Sequence, residues 1–222
     1  MRTKLINRIL PKYSRGEEIF NMVSHIVGGA LGITALTLCV ISAALNHNVF
    51  GVVSSAIYGF TLILLYTMSS VYHGLKHEMA KKVFQVLDHC AIYFLIAGTY
   101  TPIALSAIMK ISPAFAWTTF GVEWGFAAIA TTLTAIDIKK YQTFSMTLYI
   151  LMGWGLMFFP KIAIQALTIN GFYLLLTGGL FYTAGAVLYA IGKKNKNIHG
   201  VFHVFCFFGS LFHFFCIIFY GL

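Results

Sequence analysis

Seven apolar stretches alternate with short polar breaks along the chain. Each is long enough to carry a helix across a hydrocarbon core, which takes about 20 residues. They run approximately from Ile19 to Leu45, Val49 to Tyr72, Cys90 to Met109, Pro113 to Ile136, Gln142 to Ala163, Leu167 to Ile191 and His199 to Leu222. The breaks are Asn46-His47-Asn48, Gly74 to Gln85, Lys110 to Pro113, Asp137 to Tyr141, a loop near Lys161 to Gln165, and Lys193 to Asn197. The end of the fifth stretch is the least defined, because Pro160 and Lys161 crowd it. The first stretch follows a basic segment, but its apolar run of about 26 residues is far longer than the roughly 7–15-residue core of a cleaved signal peptide, so it reads as a mature helix. The pattern predicts an all-α polytopic membrane protein, a single seven-transmembrane-helix bundle over residues 19–222 preceded by a basic tail over 1–18.

Composition excludes the other classes. Of 222 residues, 59% are hydrophobic and only 9% are charged, against about a quarter charged in a soluble domain. The mean hydropathy is +0.83. A soluble enzyme, a disordered chain and a nucleic-acid-binding domain are all ruled out, in spite of a formal charge of +9. That charge is topological. Thirteen of the fifteen Lys and Arg residues (Arg2, Lys4, Arg8, Lys12 and Arg15; Lys76, Lys81 and Lys82; Lys139 and Lys140; Lys193, Lys194 and Lys196) fall on one side of the predicted bundle. Lys110 and Lys161 fall on the other. By the positive-inside rule the N-terminus is cytoplasmic and the C-terminus outside, with the basic side meeting anionic lipid headgroups. Cys39, Cys90, Cys206 and Cys216 lie inside apolar runs without CxxC spacing and read as buried small hydrophobes. Gly28/Gly32 and Gly121/Gly125 have the spacing that lets helices pack closely.

Ionisable groups in a bilayer cost about 2.5–3.5 kcal/mol each on insertion scales, so their placement carries information. His73 closes the second stretch, with Ser69 one turn deeper on the same face. Asp88, followed by His89, opens the third. His199 and His203 occupy the first turns of the last, four apart and therefore pointing the same way. Glu18, Asn21 and His25 share an arc of roughly 60° on the first helix. Four helices thus offer polar groups at one depth near the inner leaflet. Three histidines and a carboxylate suit Zn²⁺, and two histidines four apart on a helix can hold one ion. A carboxylate beside the ion either ligates it or holds and deprotonates its water. Helix-end histidines also serve simply to meet interfacial water, the reading preferred for His47 and His77.

These residues also carry a resemblance. Glu17-Glu18-Ile19-Phe20-Asn21-Met22-Val23-Ser24-His25 resembles the E-E-x-x-N-x-x-[ST]-H opening of the bacterial hemolysin III family. Ser69-Ser70-Val71-Tyr72-His73 resembles its S-x-x-Y-H segment. Asp88-His89-Cys90-Ala91-Ile92-Tyr93, running on to Ala97-Gly98-Thr99-Tyr100-Thr101-Pro102, is similar to its third-helix signature, and His199-Gly200-Val201-Phe202-His203 to its final helix. That family is similar to the progestin and adipoQ receptors, including the adiponectin receptors, and more distantly to alkaline ceramidases. The resemblance implies a multi-pass protein of the bacterial inner membrane with a zinc site near the cytoplasmic face. It implies His73, His199 and His203 as ligands, Asp88 contacting the ion through water, and Ser69 beside them. Glu123 stands outside these motifs. It lies roughly 21 Å from the cytoplasmic boundary in the fourth helix, a depth matched by His213 in the seventh, which raises the expectation of a Glu123–His213 contact or, equally, of a protonated Glu123 bonded to a backbone or hydroxyl group. Pro102 is expected to kink the third helix.

Three functions remain open. A zinc-dependent hydrolase would act on a membrane-lipid amide or ester, with His73, Asp88, His199 and His203 around the metal, Asp88 managing the water proton, Ser69 steadying the oxyanion, and Glu18 and His25 shuttling protons. A regulator or receptor would use zinc to tie helices together. A cytolytic pore would need polar residues along its whole path, and the outer half offers chiefly Glu123 and His213.

Overall fold

The computed structural model describes residues 3, 5–192 and 197–222. Arg2 and Lys4 of the tail, and Lys193, Lys194 and Lys196 of the sixth break, lie outside the described residues. Among the described residues there are seven α-helices and no strand.

Local chemistry sets the helix starts. Helix α1 (Arg15–Leu45) opens with a capping box: Glu17 N donates to Ser14 Oγ at 3.3 Å, and Ser14 N donates to Glu17 Oε2 at 2.6 Å. A turn through His47, at φ 52°, leads to α2 (Val49–Gly74), capped by Asn48 Oδ1 on Gly51 N. Helix α3 (Glu78–Pro102) is followed by one wide turn over Ile103–Ala107 and a tight one over Ile108–Lys110. Pro102 offers no N–H to the turn before it, yet residues 98–101 keep α geometry, and the irregular turns come after the proline. Helix α4 (Pro113–Ile136) starts at a proline behind the Ser112 cap. The remaining helices are α5 (Gln142–Trp154), α6 (Pro160–Gly192) and α7 (Asn197–Cys216).

Six of the expected spans have the length and composition to cross a membrane. The fifth does not. Helix α5 has 13 residues, about 20 Å of rise against a hydrocarbon thickness of about 30 Å. It tightens over Gly155–Phe158, and the chain breaks at Phe159. The loop expected near Lys161 to Gln165 is helical, because Pro160 starts α6. Helix α6 itself breaks at Thr168 (φ 61°, ψ 171°), in a backbone region costly for any residue with a Cβ. The polar stretch from Gly74 to Gln85 is also shorter as a loop than expected, since α3 begins at Glu78.

Consecutive helices pack side by side, and α7 returns against α1 to close the ring. Helix α3 and its outer turns sit innermost: 78% of its apolar window is buried, against 22% for α4. Tyr58, Leu62, Tyr66, Leu95, Ile103 and Ile217 fill the centre. Ile33, Phe60, Ile129, Val187 and Phe219 point outward, as a hydrocarbon solvent permits. The α1–α2 contact is tight. A Cβ on Gly28 would strike the Tyr66 ring, one on Gly32 would meet Ile63, and one on Gly59 would meet the Leu36 backbone. Gly121 and Gly125 do not pack in this way: nothing lies within 4 Å of a Cβ at either position. Their spacing coincides with a lipid-facing stripe of α4 and not with a helix contact.

Candidate metal centre

Helices α1, α2 and α7 bring three buried imidazoles together at the end of the bundle where α1 begins. His25, His73 and His203 are each no more than 5% exposed. Each offers a ring nitrogen, and the three nitrogens lie within 4.8 Å of one another. His25 Nε2 is 2.8 Å from His203 Nδ1, and Ser69 Oγ is 2.9 Å from the same His25 nitrogen. His199, one turn before His203, places its Nε2 3.1 Å from His203 Nε2. The helical spacing of four therefore does what the sequence suggests, turning both α7 rings inward.

The far side of His73 is tied down. Its Nδ1 lies 2.8 Å from Glu18 Oε2, and Lys81 Nζ donates to Glu18 Oε1 at 2.6 Å. A carboxylate only accepts, so His73 Nδ1 carries the proton and its Nε2 keeps a lone pair free. This carboxylate–histidine pairing is how ligating imidazoles are commonly oriented.

The residues fit a metal ion by their donors. Neutral imidazole nitrogens suit zinc and similar borderline cations, and tetrahedral zinc with bonds of about 2.0–2.1 Å needs donors about 3.3 Å apart. The observed separations require only small ring movements to reach that spacing. His25 Nδ1 is buried and makes no hydrogen bond among the described residues, so His25 is held chiefly through the nitrogen that faces the cluster.

Behind the cluster lies a cavity of about 200 Å³. It runs from Tyr13 and Gln142 at the mouth, past His25 and His203, to Tyr100 and His213 deep in the bundle. Leu65, Ile92, Leu95, Ile96 and Leu175 give it an apolar wall. Asp88 and Ser69 face it beside the histidines and interact with each other.

Comparison with known proteins shows the family. A family model described as Haemolysin-III related matches residues 13–214. The chain belongs to the haemolysin-III-related family. It is 36% identical over 206 residues to Hemolysin-3 of Bacillus cereus, covering 93% of this chain and 92% of the relative. It is 35% identical over 204 residues to the Hemolysin-3 homolog of Bacillus subtilis (strain 168), covering 92% and 94%. A more distant relative is the human monocyte to macrophage differentiation factor, 24% identical over 205 residues, covering 89% and 79%. No solved structure matches the chain at a significant level.

In this haemolysin-III-related chain, the residues singled out from sequence fall as follows. His73 and His203 join His25 in the close group, and His199 stands beside it through His203. Asp88 and Ser69 are on the cavity side, and Glu18 is behind His73. Sequence reasoning placed His25 as a proton shuttle; the structure puts it among the clustered rings. Two partners were missed. Lys81 holds Glu18, and the Tyr13 ring stacks on His199 at 4.9 Å and 19°. Lys81 looked like one more basic loop residue, and Tyr13 belongs to no periodic element that would have flagged it. The expected Glu123–His213 contact is not made. His213 Nε2 bonds Leu175 O at 3.2 Å, while Glu123 sits near Gly155 and Tyr100. His89 spends its Nδ1 on Gln85 O.

Proposed function

We propose that the histidine cluster holds Zn²⁺ and that the protein is a hydrolase of a membrane-lipid amide or ester, working near the inner leaflet of a bacterial inner membrane. In this reading the N-terminus is cytoplasmic and the C-terminus outside, and the basic face contacts anionic headgroups. C-terminal reporter fusions active only outside the cell would agree with that orientation; activity only in the cytoplasm would reverse it. The observation that carries the reading is that the histidine cluster borders a largely apolar cavity, with His25, His199 and His203 in its wall. An acyl chain fits such a wall, and a polar head held beside the rings would meet Asp88 and Ser69.

A zinc ion there supplies Lewis acidity, polarising a carbonyl oxygen or acidifying water. The chain's own groups do the remainder. Glu18, steadied by Lys81, fixes the tautomer and plane of His73. The Asp88 carboxylate takes the proton released during attack and returns it to the departing amine or alcohol. The Ser69 hydroxyl donates to negative charge developing on the carbonyl oxygen. Leu65, Ile92, Leu95 and Ile96 keep the site dry, which strengthens each of these interactions. Lipid turnover lost in Asp88→Asn with zinc content unchanged is the expected result; unchanged turnover in that variant contradicts the assignment.

One observation favours a second reading, in which zinc is structural. With His199 only 3.1 Å from His203, four imidazoles are at hand, enough to close a tetrahedral site. Lipid turnover by zinc-loaded wild type supports the open, catalytic site. One zinc per chain with no turnover of any lipid amide or ester supports the saturated, structural one.

A further inference from the structure

The described residues before α1, Thr3 and 5–14, lie against the bundle. Thr3 N donates to Asp137 Oδ2 at 2.6 Å, fastening the strap to the turn between α4 and α5. Lys82 Nζ of α3 donates to Ile6 O at 2.9 Å, and the Arg8 side chain is buried. Pro11 and Tyr13 then form part of the cavity lining. The Tyr13 ring lies flat on His199 and 5.9 Å from the His73 ring. Ser14 finally caps α1. The strap therefore crosses the end of the bundle from the α4–α5 turn to α1, and its last aromatic ring covers the histidines.

The anchor is more than a chance contact. Asp137 also accepts from Lys139 N and Lys140 N, both at 3.1 Å. These donors, Thr3 first among them, hold its carboxyl below the ordinary aspartate range. On the other face of the strap, Ile6 and Ile9 are 64% and 90% exposed. Bulky aliphatic groups in that position suit the headgroup–acyl boundary of a bilayer. The strap is thus fastened to protein on one side and offers apolar side chains to lipid on the other.

We infer that this N-terminal strap is a door over the histidine cavity, with Tyr13 as its bolt, excluding water-borne molecules from the site while it is docked. Tyr13 acts here as a positioning residue: it holds the plane of His199 and fills the mouth, and it takes no part in bond making. The inference rests on the reading of this cavity as the place where chemistry occurs, but not on which metal is bound.

Cys206 provides the test, because it lines the cavity while Cys39, Cys90 and Cys216 are buried elsewhere. A charged, water-soluble methanethiosulfonate would be applied to the purified full-length protein, and modification at Cys206 followed by peptide mass. Tyr13→Ala and Thr3→Pro, the latter removing both the N–H and the hydroxyl that bond Asp137, are expected to react about tenfold faster than wild type, the factor that loss of one stacking or hydrogen-bond contact implies. Tyr13→Phe, which keeps the stacked ring, is expected to react at the wild-type rate. Unchanged elution on gel filtration guards against misfolding as the cause. Wild-type rates in either Tyr13→Ala or Thr3→Pro would overturn the inference. The readout is a thiol, so a failure to find zinc leaves this result standing, and a closed cavity without lipid turnover separates the two ideas.

Discussion

At the scale of single residues, the site depends on how each imidazole is held as much as on its presence. Glu18 spans His73 and Lys81 with its two oxygens, so one carboxylate sets a tautomer and also neutralises a lysine that is only 9% exposed. Glu18→Gln keeps the shape but removes the charge that makes His73 Nδ1 the proton-bearing nitrogen. Metal affinity, measured by competition with a chromogenic chelator, should fall by about 10- to 100-fold, the usual effect of losing such a partner. An affinity equal to wild type would mean that Glu18 serves Lys81 alone. His25 differs from the others: its buried Nδ1 has no hydrogen bond among the described residues, and its Nε2 is shared between Ser69 and His203. That arrangement leaves its ring free to turn toward an ion without breaking a bond on its outer side.

At the scale of helices, glycine position separates packed faces from lipid-facing ones. Gly59→Ala puts a methyl group into the Leu36 backbone and should cost about 1–3 kcal/mol, as overpacking does. Gly121→Ala meets nothing and should be neutral or stabilising by up to about 1 kcal/mol, the helix-propensity gain. Thermal unfolding of both variants in one detergent checks the contrast, and equal losses would contradict the assigned faces. The same pair shows what could be read from sequence. Small-residue spacing is identical at Gly28/Gly32 and Gly121/Gly125, yet only partners on α2 make the first pair a contact. Helix ends behaved likewise. The bounds of α4 were legible to the residue because Ser112, Pro113 and Asp137 are strong local signals. The start of α3 was not, because hydropathy reports where lipid begins and Glu78 to Leu87 is a polar-faced extension of the helix. The break between α5 and α6 was placed at polar residues, whereas Pro160 set it at Phe159.

At the scale of the molecule, closing the ring of helices by α7 on α1 joins residues 178 positions apart, His25 and His203, at 2.8 Å. Depth along each helix was countable from sequence, which is why His73, His199 and His203 could be matched to one level. Azimuth was not countable, so the closeness of the His25 ring to His73 and His203 was not foreseen, and Glu123 was paired with a residue facing elsewhere. The cavity, the strap across its mouth and the orientation of Asp88 and Ser69 into it arise only when the ring is complete. All three serve a single premise, that a metal sits at the junction of α1, α2 and α7. The direct measurement is zinc per chain by elemental analysis of protein purified without chelator, for wild type and His203→Ala. The account predicts about one zinc per wild-type chain, as one site of this donor type holds, and little in the variant. Wild-type protein without zinc, or a variant that keeps it in full, would contradict it.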